Sequence, residues 1–268
     1  MKRTRVSLLA GALILVACTQ AAGVTLRYRF KPDQVFRYKQ MMSGAAMMTL
    51  SGESEPARST MEGTGTVKSV VLSVSPDGTA RIRQEDLGGQ MRVTTDGEEH
   101  TVPMPREQYT ITMSPTGKVT RERKPGAAAG REEGQSLLGD IVRALEFPKK
   151  DLKVGETWTT TLKVPVQSVG RVPVAVTQKL AEITKFKGRQ CAVVDVTFEA
   201  PFSLEQQSVA ATGKMTGSGK IYFDFTKGVE VESSLSVVQQ VKVTATVGGD
   251  AREFKQTSKM NLKQYLLQ

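Results

Sequence analysis

Histidine is almost missing from this chain. His100 is the only one in 268 residues, beside two cysteines, Cys18 and Cys191, and a single tryptophan. So few imidazoles and thiols exclude a zinc finger, a disulfide scaffold and most histidine-based catalysis. His100 stands in the polar turn Asp96-Gly97-Glu98-Glu99-His100, and no Gly-x-Ser-x-Gly elbow accompanies it to supply a hydrolase nucleophile. Aromatic residues make up 6% of the chain, too few and too scattered for a sugar platform, and Trp158 after its turn reads as a core plug. The sequence therefore predicts no catalytic residues, no metal site and no cofactor.

Long apolar runs are also scarce. The longest, Val6 to Ala17, follows Lys2, Arg3 and Arg5 and has 12 residues, against about 20 for a helix that spans a bilayer. That is a secretory signal over residues 1–17. It ends Leu15-Val16-Ala17-Cys18, which is similar to a bacterial lipobox, so the expectation is cleavage before Cys18 and a lipid anchor on its thiol. The alternative is ordinary cleavage near Ala21 or Ala22, with Cys18 discarded. Thr19 follows the cysteine in place of an aspartate, which favours an outer-membrane lipoprotein facing the periplasm or the cell surface over inner-membrane retention; the alternative product is soluble in the periplasm or secreted.

The net charge of +10 falls to +7 once the three leader cations are removed, and it is spread along strand faces. A nucleic-acid binder would concentrate it in a stripe. Cys191 then has no thiol to pair with and reads as a small buried hydrophobe.

What the chain has in abundance is period-two alternation. Val24, Leu26, Tyr28 and Phe30 oppose Thr25, Arg27 and Arg29. The same pattern recurs at Ala192 to Phe198, at Ile221 to Phe225 and at Val241 to Val247. Pro76-Asp77-Gly78, Asp96-Gly97, Pro115-Thr116-Gly117, Lys187-Gly188 and Lys227-Gly228 provide the reversals, so the strands are antiparallel. Ser136 as a cap and Leu137, Leu138, Ile141, Val142 and Leu145 at helical spacing predict one helix over 136–147, stopped by Pro148 and packed on a sheet.

Phe30 to Phe36 matches Leu152 to Trp158 in pattern, and Met113 to Val119 matches Asp224 to Glu230. The expected fold class is mainly β, with antiparallel sheets in two similar modules of sandwich or half-barrel type. The first module covers 24–122, a linker 123–135, the helix 136–147 and the second module 148–268. Leu26 to Pro32, Val154 to Trp158 and Gly217-Ser218-Gly219 with Phe223-Asp224 and Gly228 together resemble an uncharacterised family of secreted bacterial β-rich proteins. That resemblance implies no catalytic residues.

Two motifs remain. Gly217-Ser218-Gly219-Lys220 departs from a phosphate loop, with Lys214 where the first glycine belongs and Ile221 where a hydroxyl is needed, so its glycines point to close strand packing. Met41, Met42, Met47 and Met48 form a cluster without histidine or cysteine to complete a copper site. Adaptable thioethers suit the wall of a site for an apolar or lipid-like ligand, and these four are the candidate binding residues. The expected function is a non-catalytic envelope lipoprotein that binds such a ligand; the alternative is a structural or interaction protein with no small ligand.

Overall fold

The computed structural model describes residues 23–52, 55–104, 106–122, 146–166, 170–206, 209–247 and 250–267. Among these residues twelve strands form one antiparallel sheet: β1 (Val35–Leu50), β2 (Ala57–Val74), β3 (Ala80–Thr95), β4 (Glu98–Met104), β5 (Gln108–Met113), β6 (Val119–Arg121), β7 (Thr157–Val166), β8 (Gly170–Phe186), β9 (Arg189–Gln206), β10 (Val209–Asp224), β11 (Val229–Val247) and β12 (Asp250–Leu267). Their order across the sheet is β6-β5-β3-β2-β1-β12-β11-β10-β9-β8-β7, with β4 also on β3. Each chain half is a meander, and the first strand pairs with the last along Arg37 to Leu50.

That seam corrects the expected architecture. There are no two modules and no sandwich, because β1 and β12 carry the hydrogen-bond ladder without a break from one half into the other. The expected helix is also not seen. No helix occurs among the described residues; positions 136–145 and the linker 123–135 lie outside them, and Phe147 is an irregular-backbone residue whose ring is buried.

The reversals follow the local chemistry. Asp96-Gly97 and Lys187-Gly188 each take two successive positive φ values, 48° with 90° and 47° with 78°, as the favoured two-residue hairpin turn requires. The paired sequence patterns also share a structure. Asp33 and Gly155 both have positive φ. Asp33 N–H donates to Val71 and Gly155 N–H to Leu180. Lys31 N–H donates to the Gln34 side chain as Lys153 N–H does to that of Glu156. The same turn thus opens β1 and β7, although the strands beyond it belong to one sheet.

Val24 to Phe30 alternates as read, with Leu26 and Tyr28 buried and Arg27 and Arg29 exposed, yet it is not a sheet strand. It runs across one end of the sheet as a strap. Val24 bridges Leu152, Tyr28 N–H donates to Pro115 C=O, and Arg29 N–H donates to Gly228 C=O. These partners lie beside both margins of the sheet and its middle, so the strap ties together strands far apart in the strand order. Under it, Tyr28, Phe147 and Phe223 meet at centroid distances of 4.8–5.5 Å. One buried cluster takes in Val71, Ile82 and Ile111 from the first half with Leu180, Val194 and Phe223 from the second. A single core fed by both halves requires the sheet to curl around it. Each such fully buried side chain contributes about 1.5–3 kcal/mol.

Glycines let the dry face close on itself. A Cβ at Gly217 would stand 2.1 Å from the Phe198 ring, and one at Gly213 2.5 Å from that of Phe202, so two rings of β9 occupy the space over β10. Gly217-Ser218-Gly219 is accordingly a packing feature within a strand. Replacing Gly217 by Val should destabilise the fold by about 1–3 kcal/mol through overpacking, read as a lower urea midpoint with an unchanged slope.

Candidate functional site

The strap seals one end of the dry face with aromatic rings. Next to that core lies a belt of polar side chains pointing the same way, supplied by β1, β11 and β12. Gln40 Nε2 donates to Gln264 Oε1 at 2.8 Å, and Gln264 Nε2 donates to the buried Glu230 carboxylate at 3.3 Å. The Tyr38 hydroxyl donates to the Glu230 carbonyl at 3.3 Å. Burial first, and then the Glu230 charge, push the Tyr38 phenol well above its ordinary range, so it is a neutral donor at any physiological pH. Ser233, opposite Gln264, is buried, and its hydroxyl has no partner among the described residues.

Beyond the belt the same face becomes apolar again. Met42 lies across from Gly63 on one side and Leu262 on the other. One step further from the strap, Gly44 lies between Met61 and Met260. Met91 is opposite Gly63, and Val93 opposite Met61. The two glycines make room for thioethers. A Cβ at Gly63 would meet Met42 Cγ at 3.0 Å, and one at Gly44 would meet Met61 Cγ at 3.2 Å. Met42, Met61, Met91, Val93, Met260 and Phe254 are all only half-buried, whereas the residues beneath the strap are closed off. This is an apolar surface with adaptable side chains and one open end.

The four methionines expected to act together do not share this surface. Neighbours in a strand point to opposite faces, so Met42 and Met48 face the dry side while Met41 and Met47 face the polar side. Met42 packs on the core, but Met48 lies six residues further along, roughly 20 Å away at strand spacing. It is 46% exposed, close to Met41 at 43% and Met47 at 44%. The methionines that join Met42 come from β2, β3 and β12. Sequence reading missed Met61, Met91 and Met260 because each stands alone in its own strand, and only the register brings them beside Met42. Cys18 lies outside the described residues.

A concavity of about 700 Å³ lies on the opposite, polar face at the level of Met42. Ser43, Glu62, Arg92 and Thr101 form one row across β1 to β4, and Asn261 and Ser236 continue it onto β12 and β11. Arg92 pairs with Glu99 at 3.2 Å. Lys263, also on its wall, shares Glu232 with Lys187, at 2.9 and 2.8 Å. Burial raises the Glu232 carboxyl, but the two ammonium groups outweigh it and hold it below the ordinary carboxylate range. A carboxylate depressed in the folded state stabilises the fold above its unfolded pKa, and that contribution is lost as the pH falls through the folded value. The urea midpoint of Glu232→Gln should therefore be lower than wild type at pH 7, and the two should converge toward pH 3.

Among the described residues no group of three or more His, Cys, Asp or Glu side chains could hold a metal ion. His100 lies on β4, 67% exposed, with its nearest carboxylate, Glu98, at 3.9 Å. Cys191 is fully buried, and burial followed by the Asp224 charge pushes its thiol up, away from the reactive thiolate. Trp158 is half-buried, with its indole N–H donating to Glu146 C=O at 2.9 Å. No helix of the described residues is long and apolar enough to cross a membrane.

No protein family matches the sequence, and no curated protein does. Among solved structures, that of Pseudomonas aeruginosa OpdK with vanillate is 7% identical, covering 86% of this chain and 98% of that one, with a TM-score of 0.12. A superposition that loose carries no argument about fold or function.

Proposed function

We propose that this is a non-catalytic protein of the bacterial cell envelope, exported, anchored through an acylated Cys18, and built to hold an apolar or lipid-like ligand. The observation that carries the reading is the open half of the dry face. A sheet that seals one end with Tyr28, Phe147 and Phe223 leaves the methionine-lined continuation of the same face half-covered. Small-ligand sites are mostly apolar with a few polar groups, and thioethers adapt to flexible chains. The Gln40–Gln264–Glu230 belt forms the floor and provides the polar groups that orient a ligand end.

The test is native followed by denaturing mass spectrometry of protein taken from the envelope of its own host. A diacyl or triacyl increment on Cys18 supports the anchor; a chain that starts near Gly23 overturns it. A bound apolar species that leaves on denaturation supports the ligand site. Met91→Lys and Met260→Lys should lose that species while keeping a wild-type circular dichroism spectrum. A bare native mass under gentle extraction overturns the ligand reading in favour of a structural or interaction role.

A further inference from the structure

We infer that the strapped end of the sheet is a docking surface for an anionic phospholipid bilayer. All of the sharp connections at that end, together with the strap, carry nine basic side chains against five acidic ones, over residues 23–34, 75–79, 114–118, 146–156, 187–188 and 225–228. Arg27, Arg29, Lys118, Lys149, Lys153 and Lys227 are exposed there and make no ion pair among the described residues. Of the acids, Glu156 is held by Lys150, and Asp151 accepts from the Thr25 hydroxyl. The opposite end lacks this excess of base among the described residues of its hairpins. The described parts of its hairpins, 51–52, 55–56 and 96–97, contain Glu55 and Asp96 and no lysine or arginine.

The backbone makes the cationic end rigid. Arg29 N–H is held by Gly228 C=O, and Arg29 Nη1 donates to Thr226 C=O at 3.1 Å. Arg27 Nη2 donates to Lys149 C=O at 3.3 Å. Each such contact brings cations from sequence-distant connections onto one surface. Covalent geometry agrees with a bilayer beneath it. Val24 is fixed to Leu152 at this end, and the six residue steps from Cys18 to Val24 can reach at most roughly 22 Å. An acyl chain on Cys18 would hold these cations within about two Debye lengths of the headgroups, with the open apolar face turned away from the membrane. The orientation rests on the proposed anchor; the charge complementarity does not.

Vesicle co-sedimentation of the mature chain with Cys18→Ser separates the two, since it needs neither acylation nor an apolar ligand. Vesicles with one third phosphatidylglycerol should bind the protein in low salt, and pure phosphatidylcholine vesicles should not. Binding should fall steeply by 0.5 M salt. Replacing Lys118, Lys149, Lys153 and Lys227 together by Gln should weaken binding by about 100-fold or more. The same loss of charge on strand faces, at Lys214, Lys242, Lys255 and Lys259, should leave most of it. Equal loss from both quadruple variants overturns the assignment to this end. Equal binding to neutral vesicles overturns an electrostatic surface, and equal binding to soluble polyphosphate overturns the lipid assignment. None of these outcomes bears on whether Met91→Lys loses its ligand.

Discussion

Phe223→Ala should cost about 3–5 kcal/mol, a large share of the 5–15 kcal/mol that holds a domain together. Phe223 is fully buried and meets Tyr28 edge-on at 5.0 Å and Phe147 at 4.8 Å. Tyr28 belongs to the strap, Phe147 to the chain before β7, and Phe223 to the end of β10. Truncating the ring leaves a cavity among three segments that no ladder holds together, so little collapse can fill it. Urea unfolding followed by circular dichroism reads the loss. Phe223→Leu, which keeps most of the volume, should cost about 1 kcal/mol. Equal costs for the two variants would mean that the site tolerates a void, and the strap would then not be the seal described above.

The second large effect tests the seam. Leu262 is 5% exposed and lies between Met42 on β1 and Leu235 on β11. Leu262→Asp removes its burial and leaves a carboxylate without a partner, which together should cost about 5 kcal/mol or more. In a single sheet with a single core, that loss must be felt everywhere. Trp158 on β7, at the margin of the sheet and five strands from β12, should report the same lowered midpoint by fluorescence as circular dichroism reports for the whole chain. Two independent modules would instead give a Trp158 transition separate from the global one. Coincident transitions are the expected result.

The proposed membrane surface and the apolar face make a joint demand on the fold. The strap closes the end that carries the unpaired cations, and the thioethers stay half-covered toward the other end. A ligand of the proposed kind, entering from the open end, would meet Met260 and Met61 before Met42, then the glutamine belt. Substitutions at Met91 and Met260 are therefore better probes of binding than any at Met42, which packs on the core.

Much of this was legible in the sequence. Alternation is a property of consecutive residues, and it picked out the buried Leu26 and Tyr28 of the strap, Ala192, Val194, Val196 and Phe198 of β9 and Ile221 and Phe223 of β10, whereas Val241, Val243 and Ala245 of β11 are only half-buried. Reversals are equally local. Asp96-Gly97 and Lys187-Gly188 tolerate positive φ, and strands joined by two residues have no choice but to pair antiparallel. Even the turn shared by β1 and β7 showed as a residue pattern, since the bonds that close it, Lys31 N–H to Gln34 and Lys153 N–H to Glu156, span only three residues. The opposite facing of Met41 and Met42 was implicit in the same period of two.

Tertiary structure decided what local sequence cannot carry. The ladder between β1 and β12 joins residues more than 200 positions apart, and nothing in either strand names its partner. Without that seam two modules is the natural reading; with it there is one sheet and one core. Val24 to Phe30 has the signature of a strand, but its N–H groups find turn carbonyls, and only the curl of the sheet places those within reach. The methionine face has the same origin. Met42, Met61, Met91 and Met260 come from four strands, and it is register, fixed by burying the opposite apolar set, that gathers them. Composition and periodicity determined that the chain would be an antiparallel sheet with a dry face; long-range pairing determined which part of that face is sealed and which part is left open.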